Sequence, residues 1–504
     1  MTAYVQARAA DADGAVDAAA RGYAEALAAR PDDAVIAIRA LREGLASGDL
    51  TLARRAGDVL RAADVSPPDI ELLAFADALV AKDVAGQQAA LERLKDTPIA
   101  FLGPMMAAWT DRAAVATEPG AGGAIARRYA AENRVLLLLA DRKTPEGIAA
   151  LRTLLDINGG NLDLRMNAAQ LLARGGDRRT ARAVLAGDDP VLMRAAATLG
   201  RGRTGDARFG VSRLFARMAA DLSADGTEPL AILLTRAALV LDPTYARARL
   251  ALADALARDG ATAAALTALA AIPARDPFAP GAAALRVTVL HRAGDLVQAT
   301  ALARSRADAR DADSGAIADY AGLLVDSGRD ADAAAAYGRA IDRAGPAASW
   351  VLHLQHGGAL DRAGQWDAAL PELRRAVELA PDQPAALNYL GYAQVERGLN
   401  LTEATALIER AHKLAPDDAS IVDSLGWARF RQGDLAGALK LVERAARAEP
   451  DDPEINEHLG DIYWQAGRRF EARYAWRAAA NAATGTAATR IATKLATGPA
   501  SPQG

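Results

Sequence analysis

IVDSLGWARFRQGD, residues 421–434, has the apolar spacing of an amphipathic helix, yet Gly426 stands in its middle beside Trp427. Gly433 follows seven residues later. A glycine inside a helix costs about 1 kcal/mol relative to alanine, so a packing gain at Gly426 is implied. Comparison of the chain with itself supplies the context. Gly226, Gly260, Gly294, Gly328, Gly364, Gly398, Gly433 and Gly467 follow one another at spacings of 34, 34, 34, 36, 34, 35 and 34 residues, and Gly14 and Gly48 are again 34 apart. Five residues after each glycine comes alanine, as in Ala19, Ala53, Ala231, Ala369, Ala438 and Ala472, with Ala404 one residue later. A second small position recurs at Ala26, Ala238, Ala340, Ala376, Ala411, Ala445 and Ala479. Pro31, Pro243, Pro277, Pro381, Pro416 and Pro450 close the period, often within PDD.

A period near 34 that carries Leu-Gly, then Ala, then a bulky residue, then Ala and Pro resembles the tetratricopeptide repeat. Leu390-Gly391, Leu425-Gly426 and Leu459-Gly460 fill the paired positions; the preceding unit departs with His356-Gly357. Tyr23, Tyr337 and Trp476 fill the bulky position of the second helix. The resemblance implies an all-α fold, a right-handed α-solenoid in which each unit is a helix A, a short turn and a helix B. Gly426 is then expected to face alanine on helix B, and the Gly433 series to end helix A in a left-handed conformation. Pro followed by Asp ends helix B and caps the next helix A. One such unit cannot bury its apolar face alone, so stacked neighbours supply the core.

The composition agrees with a helical globular protein: 504 residues, 51% hydrophobic, 24% charged and only 5% aromatic. A net charge of −4 gives no electrostatic reason to expect nucleic acid. With no cysteine, disulfides and thiolate metal sites are excluded. The longest strongly apolar run, VLLLLA at 135–140, is too short to span a bilayer, so no transmembrane segment is expected. The start MTAYVQARAADADG lacks the basic and apolar parts of a signal peptide. The expected location is cytoplasmic as the sequence is written, and periplasmic or envelope-associated if a segment precedes Met1.

The register divides the chain. Residues 1–190 form an N-terminal tetratricopeptide-like segment, clear in two units to residue 67 and blurred after it, with Asp83, Arg142 and Gly176 as candidate turns. Residues 186–209 are read as an irregular connection, because 50 residues separate Gly176 from Gly226. A C-terminal array spans 208–484, a capping helix with Ile491 and Leu495 inward spans 485–497, and a loose tail spans 498–504.

Little in the chain points to catalysis. GRGRTG at 200–205 matches G-x-G-x-x-G but follows a helical pattern, where a dinucleotide site needs a strand before it. His353 and His356 share a helix face, with no third metal ligand evident. DADG at 11–14 has its glycine misplaced for a calcium loop. No phosphate loop, GxSxG or HExxH is present. No cofactor, metal or catalytic residue is expected, and the chain reads as no enzyme.

In tetratricopeptide arrays helix A lines the concave groove. Carried over by position, the resemblance gives Asn388, Tyr392 and Glu396 in one unit and Asp423, Trp427, Phe430 and Arg431 in the next. The last unit offers Glu457, Asp461, Trp464 and Gln465. These residues either form an aromatic strip with acidic flanks for a peptide or pack between neighbouring A helices. A clamp for an acidic C-terminal tail is not expected, because Asp423 and Glu457 occupy its positions. Over residues 385–478 the chain is further similar to a proteobacterial tetratricopeptide family that includes envelope lipoprotein adaptors of a C-terminal processing protease. The expected function is a non-catalytic scaffold or adaptor binding a protein or peptide along the groove. The alternative is an enzyme with a site near the 186–209 junction or the His353/His356 pair.

Overall fold

The computed structural model describes every residue except 1, 66, 68–69, 113–122, 158–159, 225 and 500–504. Met1 and most of the tail expected over 498–504 therefore lie outside the described residues. Those described form 29 α-helices and no strand. No helix among them is long and apolar enough to cross a membrane. The fold is an all-α solenoid of helix-turn-helix repeats, divided into two compact units, Met1–Ala299 and Thr300–Gly504. The division falls inside the stretch 208–484, and residues 186–209 lie wholly within the first unit.

The periodic residues do the physical work their spacing implies. Gly14, Gly48, Gly226, Gly260, Gly294, Gly328, Gly364, Gly398, Gly433 and Gly467 all have positive φ, between 66° and 90°. Alanines 19, 53, 231, 265, 299, 333, 369, 404, 438 and 472 are all fully buried. The second Asp of each PDD is a cap: Asp33 accepts from the Val35 and Ile36 amides, Asp418 from Ile421, and Asp452 from Glu454 and Ile455. Each such cap is worth about 1 kcal/mol.

Gly426 makes room for more than an alanine. A Cβ there would sit 2.4 Å from Val442 Cγ2 and 3.3 Å from the Ala438 carbonyl oxygen. The pattern repeats: Gly357 leaves space for Leu373, Gly391 for Ile408, and Gly460 for the Trp476 indole at 2.3 Å. The expected approach to alanine is present, with the Ala438 and Ala404 carbonyl oxygens 3.3 and 2.8 Å from a Cβ at Gly426 and Gly391, but a larger side chain lies nearer still. Alanine lets the backbones approach, and the large residue four positions further along helix B fills the glycine's notch.

In the first unit the two early repeats, Thr2–Ala12 with Val16–Ala29 and Ala34–Ser47 with Leu50–Ala62, are regular. Of the candidate turns, Arg142 and Gly176 take the left-handed conformation; in the turn holding Asp83 it is Lys82 that does so, and Asp83 caps Val84–Leu94 by accepting from the Gly86 amide. The segment does not simply lead onward. The helix Ile70–Ala81 packs on Glu228–Leu241. Arg236 of that partner donates to the carbonyls of Leu45 and Ala46, both at 2.8 Å, at the end of Ala34–Ser47. Gly48 is constrained twice there, by φ of 90° and by the Arg236 guanidinium, 2.8 Å from where a Cβ would lie. Burial, with no carboxylate to offset it, pushes Arg236 down to about 10. Replacing Arg236 by Ala strips two carbonyls of a charged donor. The unit should lose roughly 2–4 kcal/mol, read as an earlier midpoint in chemical denaturation, with proteolysis near residue 48 accelerated.

Candidate functional site

Helices Trp350–Arg362, Pro384–Glu396, Ala419–Arg431 and Pro453–Gln465 are the last four A helices of the second unit. Their shared register brings the nominated residues onto one row. Three of them turn inward. Asp423 and Glu457 are buried, and Trp427 is 9% exposed. Asp423 lies 2.7 Å from His458 Nδ1 on the next A helix. The His458 ring stacks on Trp427, with centroids 4.1 Å apart and 13° between planes. Burial opposes a charge on His458, but the carboxylates of Asp423, Glu454 and Glu396 outweigh it and hold the imidazole up to about 9. At neutral pH the pair is an ion pair under an indole, with a cation–π contact on its face.

Around it the polar atoms are linked. Tyr392 donates to Glu454 and lies 3.4 Å from His458 Nε2, and the Trp427 indole N–H donates to Glu396. Burial, then Glu454 and Glu396, raise the Tyr392 hydroxyl well above its ordinary value, so it stays a donor. One repeat further on, Glu457 takes both nitrogens of a bidentate Arg490 at 2.7 Å and Lys494 at 2.6 Å. Lys494 also reaches Asp461 at 2.6 Å. Burial alone would raise Glu457; Arg490 and Lys494 reverse it and hold the carboxyl below its usual range. Both cations come from the helix Gly485–Thr497, which seats Ile491 and Leu495 against Trp476 and Ala479.

What remains open on this row is Glu396 and Arg431, both exposed, with Tyr392, Phe430, Asp461 and Trp464 half-buried and Gln465 exposed at the end. Asn388 is half-buried, its Oδ1 shielded and without a hydrogen-bond partner. Phe430 leans on Trp427 with centroids 5.0 Å apart, and Trp464 sits under the Arg469 guanidinium at 3.9 Å. His458, Glu454, Arg490 and Lys494 were not among the sequence candidates. The signal that finds His458 is its place one residue beyond the position shared by Asp423 and Glu457.

The alternative locations hold their own charges. His353 and His356 both face Glu372, at 2.7 and 3.4 Å, and no group of metal-binding side chains occurs among the described residues. Residues 200–205 are pinned across the first unit, with Arg178 donating to the carbonyls of Leu199 and Gly200 at 3.0 Å. Beside them lies a cleft of about 310 Å³. Its Arg203 and Arg213 share Asp242, and its Arg247 takes Asp163 at 2.9 Å. These groups are committed to one another.

A family model described as the tetratricopeptide repeat matches residues 354–419 and 424–488. Those two stretches of the second unit are tetratricopeptide repeats. No curated protein sequence matches the chain. Among solved structures, a thermophilic tetratricopeptide protein of Thermus thermophilus is 20% identical, covering 36% of this chain and 99% of its own, with a TM-score of 0.33. A tetratricopeptide repeat protein from Parabacteroides merdae is 14% identical over 42% of this chain and 84% of its own, with a TM-score of 0.36. MamA of Desulfovibrio magneticus, from residue 41 onward, is 17% identical over 33% and 93%, with a TM-score of 0.29. The two stretches matched by the family model contain this A-helix row except Asp423, which falls in the four-residue gap between them.

Proposed function

We propose that the chain is a non-catalytic scaffold that captures a protein segment on the A-helix face of its C-terminal repeats. The observation that carries this reading is the row Tyr392, Phe430, Trp464, three part-exposed rings each held from within the chain, by Glu454, Trp427 and Arg469 respectively. Rings already fixed in place lose little freedom when a partner docks, which is how preorganised surfaces gain affinity. The finer identity as an envelope adaptor of a processing protease remains a proposal that rests on the similarity over residues 385–478. Trp427, Asp423 and Glu457 act in this reading as the wall behind the site, and Glu396, Arg431 and Gln465 as its polar rim.

Photo-crosslinking tests it. A photoreactive residue at Arg431 or Gln465 is expected to capture a protein partner in cells, and a Phe430→Ala background to cut that yield about tenfold. The same probe at Lys413, on a B helix, serves as control. Equal yields at all three positions, or a retained small molecule and no crosslink, would remove the scaffold reading.

A further inference from the structure

The last B helix, Arg469–Ala482, departs from the repeat on its outer face. Phe470 and Tyr474 stand three and seven residues after the turn glycine Gly467 and are 80% and 70% exposed. The equivalent exposed pairs are Ala436 and Lys440 after Gly433, Asp367 and Pro371 after Gly364, and Ala331 and Ala335 after Gly328. Nothing in the repeat's packing asks for a ring at either place: the helix is held from its other side by Ala472, Trp476 and Ala479, all fully buried. Two adjacent rings this exposed carry a cost in water that a lone exposed side chain does not, and such patches mark docking surfaces. Arg473 and Arg477 share the exposed side of this helix, and neither makes an ion pair among the described residues. Glu471, the helix's one acid, is engaged by Arg468 at 3.0 Å. The face is therefore aromatic and net cationic on a chain whose formal charge is −4.

We infer that this face docks an acidic protein segment that carries apolar side chains for Phe470 and Tyr474. The rings lie one helical turn apart, about 6 Å along the axis, which suits two anchors on one segment. Arg473 and Arg477 flank them and receive carboxylates, bidentate where the geometry allows. Two rings are a small apolar area beside the roughly 800 Å² per partner of a stable interface. They act as the central anchors of a larger contact, the role in which aromatic residues and arginine are enriched. The inference rests on the scaffold reading but uses a separate surface, opposite the A-helix row.

The test uses the full chain and a fluorescein-labelled peptide in which Asp and Glu flank two leucines, with a lysine-for-acid version as control. Fluorescence anisotropy is expected to saturate with the acidic peptide and not with the basic one. F470A/Y474A and R473E/R477E should each weaken binding at least about tenfold, with helix content and melting unchanged. R473E/R477E should reverse the preference toward the basic peptide. Binding unaffected by both double variants would overturn the inference. So would wild-type binding to phosphatidylserine vesicles in place of the peptide, or self-association in sedimentation that F470A/Y474A abolishes. Crosslinks from Arg431 and Gln465 are expected to persist in F470A/Y474A, so the failure of either reading is seen separately.

Discussion

Gly426→Ala is expected to destabilise the C-terminal unit although alanine is the better helix former. The added Cβ gains up to about 1 kcal/mol of propensity, but it would sit 2.4 Å from Val442 Cγ2 and 3.3 Å from backbone at Ala438. Val442 is fully buried and cannot swing away into solvent. Overpacking of this kind costs typically about 1–3 kcal/mol, so the net loss should be about 1–2 kcal/mol, and Gly426→Leu should exceed it. Gly322→Ala provides the opposite sign in the same unit. Its Cβ would meet nothing closer than the Tyr337 hydroxyl at 3.7 Å, so propensity should win by about 0.5–1 kcal/mol. Denaturant midpoints that move the same way in both variants would contradict the notch account.

The second large effect is at His458. Removing the imidazole as His458→Ala leaves Asp423 buried without its cation, and breaking a buried pair this way costs about 3–5 kcal/mol. Asp423 Oδ1 already has no hydrogen-bond partner, so little remains to solvate the orphan. Asp423→Asn in the same chain should recover part of that loss, which a double-mutant cycle reads as coupling. The pair also makes stability depend on pH. The folded-state value of about 9 stands above the ordinary 6.5, so the native state holds the proton more tightly than the unfolded chain does. That contribution, on the order of 3 kcal/mol, is fully present below about pH 6.5 and is lost as pH rises through about 9. His458→Ala should abolish this alkaline loss; a wild-type curve flat between pH 6.5 and 9 would contradict it.

Much of the fold was legible because a repeat writes its own register. Gly433 and its equivalents declare the turns, Ala438 and its equivalents the close approach, and Asp418 and Asp452 the caps, each by local chemistry that recurs. What Gly426 faces was less legible, since Val442 differs in kind from Trp476 or Leu373 at the same place. The docking of Arg236 on Leu45 and Ala46 joins residues about 190 apart, and no periodicity reports a contact of that range. The candidate row was found by position, but position does not tell inward from outward. Asp423 and Glu457 look like acidic flanks until the cations they meet, His458 and Lys494, are placed on the next helix. Trp427 likewise becomes a wall once His458 lies against it.

That inward use of the row is the claim on which the rest depends, because it determines which side chains are left for a partner. An NMR titration of the His458 imidazole tests it most directly. The account predicts a ring still charged at pH 7.5, with a midpoint near 9 and through-space contacts to Trp427. A midpoint near 6.5, with the ring open to solvent and no contact to the indole, would contradict it.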